Sequence, residues 1–240
     1  DSLTTTTINT RRTATPVDRP TKGFIVMTYL QLVNSIFRRL TEDKVSRVSD
    51  NSYSKLIGEF VNDAKRSVED AYDWTALRTT LTVTTDDTTF NYVLTGSQNR
   101  MKLLDVINDT SDFFMQYRPS RWMDNAFLIE TPPLGSPQFY SFNGVNAAGD
   151  NAVDIYPKPD GVYQLRFNVV LRKADFTEDT ETLAVPSSPV VQIATALGAR
   201  ERGETGGTSA AELFALADRT LSDAIAIDAS QHPEETIWYS

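Results

Sequence analysis

Cysteine is absent from the 240 residues, and histidine occurs once, as His232. The first absence excludes a disulfide framework, thiolate metal ligation, iron–sulfur clusters and a cysteine nucleophile. The second leaves a Ser-His-Asp relay or a multi-histidine zinc site to be built around one late residue. No catalytic, cofactor-binding or metal-ligating residue is therefore assigned, and the chain is expected not to be an enzyme. No apolar run approaches the roughly 18 residues of a membrane helix. Residues 1–26 also lack the apolar centre of a signal peptide. A basic stripe of the kind that grips a nucleic-acid backbone is missing as well. The expected setting is soluble, cytoplasmic or bound to a particle.

Apolar residues make up 40% and charged residues 23%, which suits a globular fold with a proper core. The net charge of -9 is lodged in one place. Residues 175–240 hold three basic and twelve acidic groups, while residues 1–174 balance. An acidic face suits a surface that must not hold DNA, or one that meets a basic partner. A solvated pair of acidic helices is the plain alternative.

Residues 1–26, with Thr4 to Thr7, Pro16 and Pro20, show no periodicity and read as an extended arm. Met27, where regular patterning begins, reads as an alternative start. Thr28 is a helix cap for residues 28–41, with Leu30, Val33, Phe37 and Leu40 on one face. Residues 52–74 form a longer helix, with an apolar stripe from Tyr53 to Tyr72. Its opposite, solvated face takes Glu59, Asp63, Lys65, Arg66, Glu69 and Asp73.

Alternation then sets in. Leu77 to Thr84 is a strand, Asp86-Asp87 a turn, and Phe90 to Leu94 the returning strand of a hairpin. Further strands are read at 101–108, 111–117, 138–143, 151–156 and 162–173, with a short helix after Ser120. About seven short strands suit a small sandwich or open barrel. Helical periodicity returns from Pro186, breaks at Gly203, Gly206 and Gly207, and resumes behind a Ser209–Glu212 capping box.

The expected fold is α+β: a four-helix bundle from N- and C-terminal helix pairs with an inserted antiparallel β-domain. The boundaries are an arm at 1–26, the first bundle half at 27–76, the β-domain at 77–174, the second half at 175–230 and a tail at 231–240. The glycine-rich Gly203 to Ser209 lacks a P-loop lysine and reads as a helix–helix turn. The aromatic group Phe113, Phe114, Tyr117, Trp122, Phe139, Tyr140 and Phe142 reads as β-core first and as a sugar-stacking platform second. The apolar end Ile237-Trp238-Tyr239 either folds back or anchors a partner.

Met27-Thr28-Tyr29-Leu30-Gln31-Leu32-Val33-Asn34 with Arg38-Arg39-Leu40 resembles the opening of head-to-tail adaptor proteins of tailed double-stranded DNA phages, the connector or tail tubular protein A-like group. The helix from Ser54 to Trp74 and the segment Leu183 to Glu204, with Pro186-Ser187-Ser188-Pro189 and Arg200-Glu201-Arg202-Gly203-Glu204, resemble the same family. The resemblance implies a virion structural protein, assembled in the host cytoplasm. It would form a ring, commonly dodecameric, beneath the portal and prolong the DNA channel toward the tail. The implied partners are further copies of itself, the portal protein and a tail nozzle or tube protein. DNA would pass through without specific binding, and no membrane is involved.

On that footing Ile237, Trp238 and Tyr239 are candidates for portal docking. Glu201, Glu204, Glu212, Asp218 and Asp223 are candidates for lining the channel, where basic residues would trap phosphates. Two other classes compete. One is a virion carbohydrate-binding or adhesion β-module built on the aromatic group. The other is a carboxylate-driven glycosidase, which needs two carboxylates converging across a cleft.

Overall fold

The computed structural model describes residues 26–98, 100–128, 132–203 and 210–232. Helix α1, Tyr29–Arg39, begins at Thr28 with a closed capping box: Gln31 N donates to Thr28 Oγ1 and Thr28 N to Gln31 Oε1. It buries Leu32, Val33, Ile36 and Phe37. Helix α2, Ser52–Ala71, is boxed in the same way by Asn51 and Ser54. Its inward face includes Ile57, Val61, Ala64 and Val68. Gly58 lets α2 approach α1 closely, because a Cβ there would overlap the Tyr29 phenol.

The strands come next in the chain, and helix α3, Ser120–Phe127, falls among them. Pro186 then precedes helix α4, Ser187–Glu201, and the chain ends its described part with helix α5, Ala210–Ala229. Leu32, Ile36, Ile57, Val61, Val190 and Ala194 are all fully buried in the core shared by α1, α2 and α4.

The expected four-helix bundle does not form. Helices α1, α2 and α4 pack on one another, and α5 lies along α4 outside that group. The reason is the distribution of size on α5. Its most buried apolar residues are small, Ala217 and Ala224, while Leu216 and Ile227 point outward at 46% and 55% exposure. Its inward large residues, Leu213, Leu221 and Ile225, reach the core only partly buried, so α5 covers the α4 side of the core and does not supply a quarter of a bundle core. The architecture is therefore a mixed α+β fold, with five helices and two sheets among the described residues.

Between α2 and α4 lie eight strands: β1 Arg78–Thr84, β2 Asn91–Val93, β3 Lys102–Asn108, β4 Phe113–Phe114, β5 Gln116–Tyr117, β6 Phe139–Val145, β7 Asn151–Tyr156 and β8 Gln164–Val170. They form two four-stranded sheets, ordered β1-β8-β3-β4 and β2-β7-β6-β5. All pairs are antiparallel except β5 with β6. Val106, Leu165 and Phe167 of one sheet and Tyr140, Val153 and Ile155 of the other share a second core.

The expected hairpin at Asp86-Asp87 is also overturned. β1 pairs with β8 and β2 with β7, so the chain crosses between sheets at that turn. The Tyr92 hydroxyl accepts from Asp86 N at 3.1 Å and has its one proton within reach of the Thr89 and Asp86 carbonyls, which holds the crossing in place.

The two layers meet at the C-terminal end of α2. Asp70 takes Arg100 at 2.7 Å and Arg172 at 3.1 Å, and Asp73 takes Lys102. Asn62 bonds both backbone groups of Phe176. Lys65 and Glu69, expected on the solvated face, are buried at 1% and 0% side-chain exposure, with Lys65 Nζ 3.3 Å from Glu69 Oε1. Lys65 Nζ donates to the carbonyls of Lys173 and Ala174 at 2.9 and 2.8 Å, and Glu69 accepts from Lys173 N. Burial, opposed by Lys65, pushes the Glu69 carboxyl above its ordinary value.

Tyr29 stacks on Phe176 across this layer at 5.2 Å. Burial first, then Asp179, pushes its phenol up to about 12. The folded chain thus holds that proton more firmly than the unfolded chain. The stability it contributes is full below the ordinary value of 10.0 and is lost as pH rises toward the folded value. Alkaline melts are expected to show a smaller loss of stability across this window in Tyr29→Phe than in the parent. Equal slopes would contradict the assignment.

Candidate functional site

The surface that the resemblance points to is the α4–α5 hairpin. Glu201 at the end of α4, and Glu212, Asp218 and Asp223 on α5, are all exposed. Glu204, Ile237, Trp238 and Tyr239 lie outside the described residues. At about 100° per residue, Glu212 and Asp223 fall on one stripe with Leu216, Arg219 and Ile227. Asp218 stands about a third of a turn away. The acids are thus not gathered on one face, and Arg219 interrupts the stripe that two of them share. Arg202 at the close of α4 ties the hairpin inward, bonding the Leu40 carbonyl and Glu42 at 2.8 Å each and lying over the Tyr53 ring.

A second cluster stands where α5 ends. Thr75 N and Oγ1 both donate to Asp228 Oδ2, at 2.9 and 3.1 Å. His232 Nε2 lies 2.8 Å from the same hydroxyl. A hydroxyl has one proton; with that proton on Asp228, the imidazole Nε2–H donates to Thr75. A nucleophilic relay places the imidazole between carboxylate and hydroxyl. Here the hydroxyl stands in the middle, and the arrangement pins the last described turn to the 3-10 turn Thr75–Leu77 that leads into β1. Nothing local in the sequence marks Thr75 or Asp228. His232 stands out only as the one histidine of the sequence.

The aromatic group is divided by the fold. Tyr140 packs against Phe167 in the sandwich core, with Phe142 beside it. Trp122 and Phe139 join Phe127, Tyr156 and Phe90 in a cluster built around α3, with the Arg118 guanidinium over Trp122 and Phe139. Phe114 and Tyr117 remain exposed at 67% and 57%, at the rim where the chain passes from β4 to β5. A shallow hollow of about 290 Å³ beside them is lined by Phe113, Phe114, Gln116, Gln138 and Phe139. No continuous stacking platform results.

Among the described residues no group of three His, Asp or Glu side chains converges as metal ligands do. Nor is any described helix long and apolar enough to cross a membrane.

No curated protein matches the chain. The family model of the SU10 adaptor protein matches residues 27–235, which leaves out the threonine-rich arm and takes in every described element. On that match the chain belongs to the SU10 adaptor protein family and is a phage adaptor, a structural protein of the virion.

Proposed function

We propose that the protein is a head-to-tail adaptor that forms a ring, of twelve copies by the family resemblance, between portal and tail and extends the DNA channel. Its work is structural rather than catalytic. Its partners are further copies of itself, the portal protein and a tail nozzle or tube protein. The observation that supports this best is α5: an exposed helix with Leu216 and Ile227 outward is a surface that a single chain leaves half made. A closed ring repeats one heterologous contact, so each subunit needs a flank of this kind.

In this reading the hairpin lies near the bore. Asp218, off the apolar stripe, and Glu201 keep the lumen acidic, and Glu204 adds its charge to theirs, so that phosphates slide past. Glu212 and Asp223 border the contact with the next subunit. The sandwich faces outward or toward the tail. Ile237, Trp238 and Tyr239 seat on the portal.

The test is assembly on purified portal rings, read by electron microscopy and native mass spectrometry. The parent chain is expected to add a ring of density beneath the portal. Leu216→Asp with Ile227→Asp is expected to abolish closed rings while leaving the circular dichroism spectrum unchanged. Removal of residues 233–240 is expected to weaken portal capture at least tenfold. Rings that form normally in the double variant would refute the flank assignment, and undiminished capture by the truncated chain would refute the docking assignment.

A further inference from the structure

Two adjacent arginines in the last turn of α1 lack the partners that others in this fold have. Arg66, Arg100, Arg166, Arg172 and Arg202 each hold a carboxylate, and Arg118 and Arg200 lie over aromatic rings. Arg38 and Arg39 do neither; both are exposed, and no described acid stands in ion-pair reach of either. The helix dipole favours cations at this end but supplies no anion for them. Burial first, then Arg38, holds the Arg39 guanidinium below its ordinary value, and no carboxylate offsets them.

The patch continues into the loop before α2 with Lys44 and Arg47, both exposed. Of the acids nearby, Glu42 is taken by Arg202 at 2.8 Å, and Asp50 Oδ2 accepts from Ser46 N and Arg47 N. Exposed Asp43 is left against four cations.

The opposite balance stands elsewhere on the helical layer. Helices α1 and α5 both pack on α4 and have little contact with each other. On α5 the exposed charges are Glu212, Asp218 and Asp223 against Arg219. Exposed Ala215, Ser222 and Ala226 leave room along that helix for long side chains. One chain thus carries two separate faces of opposite charge. A heterologous contact needs two different faces on every copy, and charge complementarity fixes which meets which.

We infer that the outward face of α5 in one copy docks on Arg38 and Arg39 of α1 in the next copy. This rests on the ring reading above and names the second half of its repeated contact. The guanidinium groups meet Asp223, and their apolar stems cover Leu216 and Ile227. The minority charges suit the same match, Arg219 on α5 and Asp43 beyond α1.

The test is charge reversal in the full chain, read by ring formation on purified portal rings. Asp223→Arg alone, and Arg38→Glu with Arg39→Glu, are each expected to lower the ring yield at least tenfold with the circular dichroism spectrum unchanged. All three substitutions in one chain are expected to restore rings. Mixing the two defective proteins is expected to restore them as well, because alternating copies make one native contact and one with both charges reversed. A folding defect would not be rescued by mixing. Parent rings that survive reversal of Arg38 and Arg39, or that neither combination nor mixing restores, would overturn this pairing and leave the ring reading standing. A parent chain that forms no ring would overturn both.

Discussion

Lys65→Met is expected to destabilise the protein by about 3–5 kcal/mol, the usual cost of removing one member of a buried ion pair. The ammonium donates to the carbonyls of Lys173 and Ala174 and pairs with Glu69 Oε1 at 3.3 Å. Its loss leaves a carboxylate with no exposed surface and two backbone oxygens without a donor. Glu69, already pushed up by burial, is expected to be driven further up in the variant. The pair as a whole is worth much less than either partner alone suggests, because both charges gave up water to reach this position. The double variant Lys65→Met with Glu69→Leu is therefore expected to recover most of the loss. Urea unfolding followed by circular dichroism measures both. A single variant within about 1 kcal/mol of the parent would show that the ammonium reaches water.

Trp74→Ala comes next, at about 3–5 kcal/mol. The indole is 1% exposed, the largest fully buried side chain among the described residues. It meets Tyr72 edge to face at 5.5 Å, and its Nε1–H donates to the Val68 carbonyl at 2.6 Å. That carbonyl belongs to the last turn of α2, where intrahelical donors run out. The substitution thus opens a cavity and strands an acceptor at once. Trp74→Phe fills most of the space and removes only the donor, so its loss is expected to be less than half as large. A lowered urea midpoint at constant slope would show that stability, not the compactness of the unfolded chain, has changed. Equal losses for the two variants would contradict the cavity argument.

The elements with contrast between their faces could be read from the sequence. Helices α1 and α2 alternate core and surface residues so regularly that their positions, the Thr28 cap and their inward side chains follow from spacing. β8 was equally plain, with Leu165, Phe167 and Val169 turned to the core. What could not be read depended on segments distant in the chain. Lys65 and Glu69 have the spacing of an ordinary surface pair, and only the return of residues 173–176, more than a hundred positions later, buries them. The turn at Asp86-Asp87 has hairpin chemistry, yet β8 offers β1 seven partners and wins it from β2. Helix α5 is apolar around much of its circumference, so its periodicity could not say which side the core would take. The same ambiguity hid the division of the acidic candidates, since their azimuths mean little until the inward face of α5 is known.

The sandwich is joined to the helical layer by two covalent crossings, and both are riveted at one spot, the last turns of α2. Leu171 N bonds Leu77 O where the crossings run side by side, Asp70 grips Arg172 on the second crossing, and Asp70 and Asp73 also hold Arg100 and Lys102 at the start of β3. Mechanically that spot is a fulcrum. A load on the far rim, around Phe114 and Tyr117, acts through the full length of the sandwich and reaches the helices as a torque about α2. The more exposed carboxylate pairs would yield first and the buried Lys65–Glu69 rivet last, so strain would loosen the joint in order from its rim inward.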